Sequence, residues 1–125
     1  MPSGIANETA KCQRISEMLS RVGDKWTVLV IRALADHPQR FNALRRDIGD
    51  ISQKMLATTL RNLERDGFVR RTVTPSKPPQ VEYALTGLGK DLQGPVCNLA
   101  RWTADNSHRI EAARSAFDGA TEQAA

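Results

Sequence analysis

The sequence predicts a mostly α-helical fold with one small β-hairpin. Three observations lead there. Apolar residues recur at helical spacing through most of the 125-residue chain. One stretch, Arg70 to Thr86, "RRTVTPSKPPQVEYALT", switches to a period of two on either side of a proline-rich tip. A lone hairpin is barely stable in water, so its apolar face must close the side of a helical core. Helix, helix, turn, helix, hairpin, helix is the order of a winged helix-turn-helix, with the hairpin tip projecting as the wing.

Each element has its own signal. Residues 1–8 are small and polar and predict a disordered end, as does the tail 118–125; a single folded domain is expected over 9–117. Ile15, Met18, Leu19 and Val22 mark a first helix ending at Gly23. Asp24 is placed to cap a second, "KWTVLVIRALADH", which Pro38 stops. Phe41, Leu44 and Ile48 define a short third helix closed by Gly49. Ser52 caps a fourth, "QKMLATTLRNLERD", closed by Gly67, whose stripe Met55, Leu56, Leu60 and Leu63 should face the core. In the hairpin, Val69, Arg71 and Val73 alternate with Arg70 and Thr72, and Val81, Tyr83 and Leu85 alternate with Glu82 and Ala84. Thr86 caps a fifth, long amphipathic region, in which Gly94 and Pro95 should kink the helix or start a new segment.

Composition narrows the function. At 40% hydrophobic and 26% charged residues the chain is expected to fold, and a net charge of +4 with a pI near 9.5 favours a polyanionic partner. The opening segment has no apolar run, so no secretory signal is expected, and no stretch is long enough to span a bilayer. The expected location is the cytoplasm, where Cys12 and Cys97 stay reduced. His37 and His108 have no nucleophile in register, and no phosphate-cradling glycine loop or zinc spacing is present, so neither catalysis nor a metal or cofactor is expected.

The fourth helix carries the functional signal. Gln53, Lys54, Ala57, Thr58 and Arg61 fall together on the face opposite the apolar stripe. That face is polar, basic and free of acids, with Glu64 and Asp66 following only near its end. Small and polar residues there suit a major groove, where Gln and Arg make bidentate contacts to base edges and Ala57 or the Thr58 methyl can meet a thymine methyl. Arg45 and Arg46 lie on the preceding helix, and Arg70, Arg71 and Lys77 on the hairpin; of these, Arg45, Arg46, Arg70 and Lys77 are expected to hold the DNA backbone. The prolines of "PSKPP" stiffen the tip, so less entropy is lost when Lys77 docks. They also protect a strand edge from aggregation.

The stretches "GDKWT", "RFNALRRDIGDISQKMLATTLRNLERDGFVRR" and "PPQVEYALTGLGKDL" resemble the HxlR-type (DUF24) transcriptional regulators, winged-helix relatives of the MarR group, over about Cys12 to Trp102. The resemblance implies a homodimer on a palindromic operator of double-stranded DNA. It puts the recognition helix at 52–65 and the wing at 69–85, with the first and last helices building the dimer. Family members often carry a cysteine ahead of the first helix, commonly followed by proline; here Cys12 is followed by Gln13, and the position after the proline pair, usually basic, is Gln80. Cys12, between Lys11 and Arg14 at an expected helix start, is in a setting that makes a thiol reactive, and redox-sensing relatives use a cysteine at this position. A repressor switched by a thiol-reactive oxidant or electrophile at Cys12 is one reading. A small-molecule effector at the dimer interface, or a winged helix that binds protein instead, are the others. Trp26 and Trp102 are expected to be packing residues rather than pocket walls.

Overall fold

The computed structural model describes residues 2–124, with side chains described over 9–121. In chain order the elements are α1 (Pro2–Val22), α2 (Lys25–Ala33), β1 (Gln39–Arg40), α3 (Phe41–Ile48), α4 (Gln53–Arg65), β2 (Val69–Thr74), β3 (Gln80–Leu85) and α5 (Gly87–Ala124). This is a winged helix-turn-helix. The helices at the two ends take in residues 2–8 and 118–124, for which composition predicts disorder.

The core forms where α2, α3 and α4 meet the base of the hairpin. Val30, Ile31, Leu44, Leu56, Leu60 and Leu63 are fully buried, joined by Phe68, Val69, Leu85 and Val96. Local chemistry sets the helix ends. Asp24 Oδ1 accepts from the Trp26 and Thr27 amides at 2.9 and 3.2 Å and starts α2. Gly49 and Gly67 close α3 and α4 at φ +99° and +86°, a region that glycine enters without steric cost.

Four expectations need correction. First, α2 ends at Ala33, well before Pro38. Gln39 Nε2 donates to the Ala33 carbonyl at 2.7 Å, so a side chain from the next element closes the helix before proline can. Second, the sheet has a third strand. Gln39 and Arg40 pair antiparallel with Tyr83 and Glu82, which makes the order β1-β3-β2 and gives β3 a partner on both sides.

Third, the hairpin's apolar face is covered only at its base. Val69 and Leu85 are buried and Tyr83 half-buried, but Val73 is 47% exposed, because the strands run past the edge of the core. Fourth, α5 is one 38-residue helix that continues through Pro95. Thr86 does cap it, its Oγ1 accepting from the Gly89 amide at 3.1 Å.

Gly89 is where α5 closes on the hairpin base. A Cβ built there would lie 2.1 Å from the Phe68 carbonyl oxygen, a backbone atom that cannot swing aside. Gly89→Ala should therefore cost about 1–3 kcal/mol of overpacking. Gly94→Ala, whose added carbon meets nothing within 4 Å, should gain about 0.5–1 kcal/mol as a helix-interior replacement. Chemical denaturation of the two variants beside the parent checks both signs.

Candidate nucleic-acid interface

The turn between α3 and α4 is held from both sides. Ser52 Oγ accepts from the Met55 amide at 3.0 Å and fixes the first turn of α4. Arg45 Nε, from the last turn of α3, donates to the Ile51 carbonyl at 3.1 Å across the same turn. Arg45 is thus partly a structural clamp, a role its position in the sequence did not reveal. With Arg46, Asn42 and Gly49 it borders a shallow hollow at the end of α3, and both arginines are exposed residues.

Burial of Leu56, Leu60 and Leu63 sets how α4 is rotated. Gln53, Lys54, Ala57, Thr58 and Arg61 are all exposed on the other side. At about 100° per residue, Lys54, Thr58, Arg61 and Arg65 make one continuous outward row. Arg65, exposed as well, is the member that sequence reading passed over, although it follows Arg61 by four residues. Met55 is not a core residue: it is 43% exposed, and Thr59, 6% exposed, takes the inward place. The Thr59 hydroxyl donates to the Met55 carbonyl at 2.8 Å, so a buried polar group is satisfied within its own helix.

Two clefts flank α4. The larger, about 710 Å³, separates it from α1 and is bordered by Glu17, Ser20, Arg21, Met55, Thr58 and Asn62. Thr58 therefore stands on the seam between the outward row and the side that faces α1. At the far end of α4, Arg21 Nε meets Asp66 Oδ2 at 2.8 Å, tying the last turn of α1 to the C-cap of α4. The second cleft, about 360 Å³, lies between α4 and the sheet and is lined by Ala57, Arg61, Glu64, Arg71 and Tyr83.

The strand register sorts the hairpin's cations. Val69 and Arg71 lie opposite Leu85 and Tyr83, on the face turned to the core and α4. Arg70, opposite Ala84, lies on the other face. The arginine brought beside Arg61 is Arg71, and Arg70 is not gathered with the α4 set. Lys77 is exposed at the tip, on the order of 20 Å along the strands from Val69. The tip is stiffened by its own bonds, Ser76 Oγ donating to the Pro78 carbonyl at 2.7 Å. Beside the tip, where β3 begins, Arg40 donates to the Gln80 side chain and adds a cation beside that neutral residue.

Cys12 is exposed, but it is the eleventh residue of α1, in mid-helix, so the argument from a helix start does not hold. It shares a face with Ile15 and Leu19, which are 49% and 61% exposed. Cys97 is half-buried on α5. Trp26 packs against the core with the Lys25 ammonium 4.5 Å from its ring centre, whereas Trp102 is 55% exposed on α5.

Comparison with known proteins agrees with this geometry. A family model described as HxlR-like helix-turn-helix matches residues 21–111. The uncharacterized HTH-type transcriptional regulator YtfH of Escherichia coli K12 is 45% identical over 98 residues, 78% of each chain. Among solved structures, the reduced form of the redox regulator HypR superposes with a TM-score of 0.73 at 36% identity, over 79% of this chain and 98% of its own. Diamide-treated YodB from Bacillus subtilis gives 0.64 at 37% identity, over 74% of this chain and 91% of its own.

Because Ser52 supplies the cap that orients the first turn of α4, Ser52→Ala should lower stability by about 1 kcal/mol, and Ser52→Asp should restore most of it. Urea denaturation followed by circular dichroism is the check.

Proposed function

From the premise that this chain belongs to the HxlR-like helix-turn-helix family of transcriptional regulators, we propose that it works as a homodimeric repressor on a palindromic DNA operator, with its state controlled at Cys12. The observation that carries the DNA reading is the outward row of α4, exposed, basic and free of acids between Gln53 and Arg61. Gln53, Lys54, Ala57, Thr58 and Arg61 meet base edges or the nearest phosphates in a major groove. Arg45 and Arg46 hold the backbone on one flank and Lys77 on the other.

The dimer reading rests on apolar surface without a partner in the chain. Ile15, Met18 and Leu19 on α1 are 44–61% exposed, and Leu99, Trp102 and Phe117 on α5 are 55–71% exposed. A second copy of the chain is the occupant proposed for both stripes. Cys12 continues the α1 stripe, so oxidation or alkylation there acts at the seam between subunits. HypR, named a redox regulator, and YodB, solved both reduced and diamide-treated, favour a thiol signal over a small-molecule one.

Electrophoretic mobility shift with DNA from upstream of the gene, at two salt concentrations, tests the reading. Binding should fall steeply with salt. Gln53→Ala should cost about 1–3 kcal/mol on the operator and relax preference at one base pair per half-site. Lys77→Ala should weaken all sequences alike. Sedimentation should show Leu99→Glu/Trp102→Glu as a monomer. Oxidant should release wild type from the operator and leave Cys12→Ser bound; equal release of both removes the thiol switch.

A further inference from the structure

The cleft between α4 and the sheet brings together two cations and a single carboxylate, Glu64, which leaves its lining net positive. Arg61 comes from the outward row of α4 and Arg71 from the core-side face of β2, and both border the same opening of about 360 Å³ with Ala57, Glu64 and Tyr83. Among the described residues, neither guanidinium pairs with an acid; the ion pair is Arg21 with Asp66, elsewhere on α4. Two cations against one carboxylate leave a positive charge that a further anion entering the cleft would offset. Planar guanidinium forks match phosphate oxygens bidentately. Tyr83 and Ala57 complete the lining.

From this geometry we infer that the cleft is the seat of one DNA backbone phosphate, held by Arg71 and Arg61 with Tyr83 beside it. The inference rests on the DNA-binding reading above and refines it. The strand that leaves a major groove filled by α4 must cross between α4 and the wing, and this cleft lies on that line. Arg61 then positions the duplex instead of reading a base, and Arg71 takes the backbone role expected of Arg70. Glu64, in the same wall, opposes the phosphate and weakens the seat.

The test uses the full chain and two duplexes of equal length: DNA from upstream of the gene and a scrambled fragment. Binding of each is measured over a series of chloride concentrations. Arg71→Ala should weaken both in the same proportion and make the plot of log affinity against log salt shallower by about 0.9, the value for one lost phosphate contact. Arg61→Ala should do the same. Glu64→Gln should strengthen binding to both fragments several-fold at fixed salt. An Arg71→Ala slope equal to wild type overturns the seat, and so does an Arg61→Ala loss confined to the upstream fragment. No gain from Glu64→Gln counts against it as well. If wild type binds neither fragment, the DNA reading falls and the seat with it; if wild type binds with a slope that Arg71→Ala shares, only the seat falls.

Discussion

The rotation of α4 about its own axis is the constraint on which the rest depends, and three leucines set it. Leu56, Leu60 and Leu63 are buried to within 1%. Burying each is worth about 1.5–3 kcal/mol. Repulsion between exposed like charges is weak by comparison, about 1 kcal/mol for a pair 4 Å apart in water and less in salt. The hydrophobic term therefore decides the orientation, and the chain tolerates Lys54, Arg61 and Arg65 in an uncompensated row. An electrostatic surface results from a packing decision made on the other side of the helix. The clamps at Ser52 and Arg45 hold that rotation at the N-terminal end, where base contacts in this class of motif are made.

What was legible in the sequence follows from which signals agree. The fourth helix was readable because cap, apolar period and closing glycine all point the same way, and the third because period and closing glycine agree. The two-residue β1 carries no period at all; it exists because β3 offers an unpaired edge and because Gln39 can reach back to Ala33. Met55 was read as inward because hydrophobicity ranks it with the leucines, while geometry gave the inward place to Thr59, which lies in line with them and satisfies its hydroxyl on its own helix. That Arg71 and not Arg70 lies beside Arg61 was readable in principle. Val69 and Leu85 fix which strand face meets the core, and Arg71 shares the parity of Val69. The Arg45 clamp was not readable, since it depends on where the Ile51 carbonyl points.

Half of the structure makes little sense for an isolated chain. α5 is 38 residues long, roughly 57 Å at 1.5 Å per residue, and most of its residues beyond Ala100 are exposed. Helices without tertiary support are marginal in water, and one this long with Leu99, Trp102 and Phe117 in the open needs another surface against it. The same holds for α1, whose Ile15, Met18 and Leu19 face away from the core. A winged head needs neither stripe for its own packing: its buried cluster is complete from Val30 to Val96. The surplus apolar surface is thus an argument about assembly and not about folding of the head.

Assembly and reading surface are joined at one point in the chain. Arg21, in the last turn of α1, holds Asp66 at the C-cap of α4, and Asp66 Oδ2 is otherwise out of solvent. Taking Arg21 away leaves that oxygen desolvated and unpaired, although the two side chains keep partial contact with water, 31% and 19% exposed. The two helices are therefore coupled more strongly than their open cleft of about 710 Å³ suggests. Because the cleft is empty of protein along most of its length, α1 touches the reading helix at its C-terminal end while Ser52 and Arg45 hold the N-terminal end.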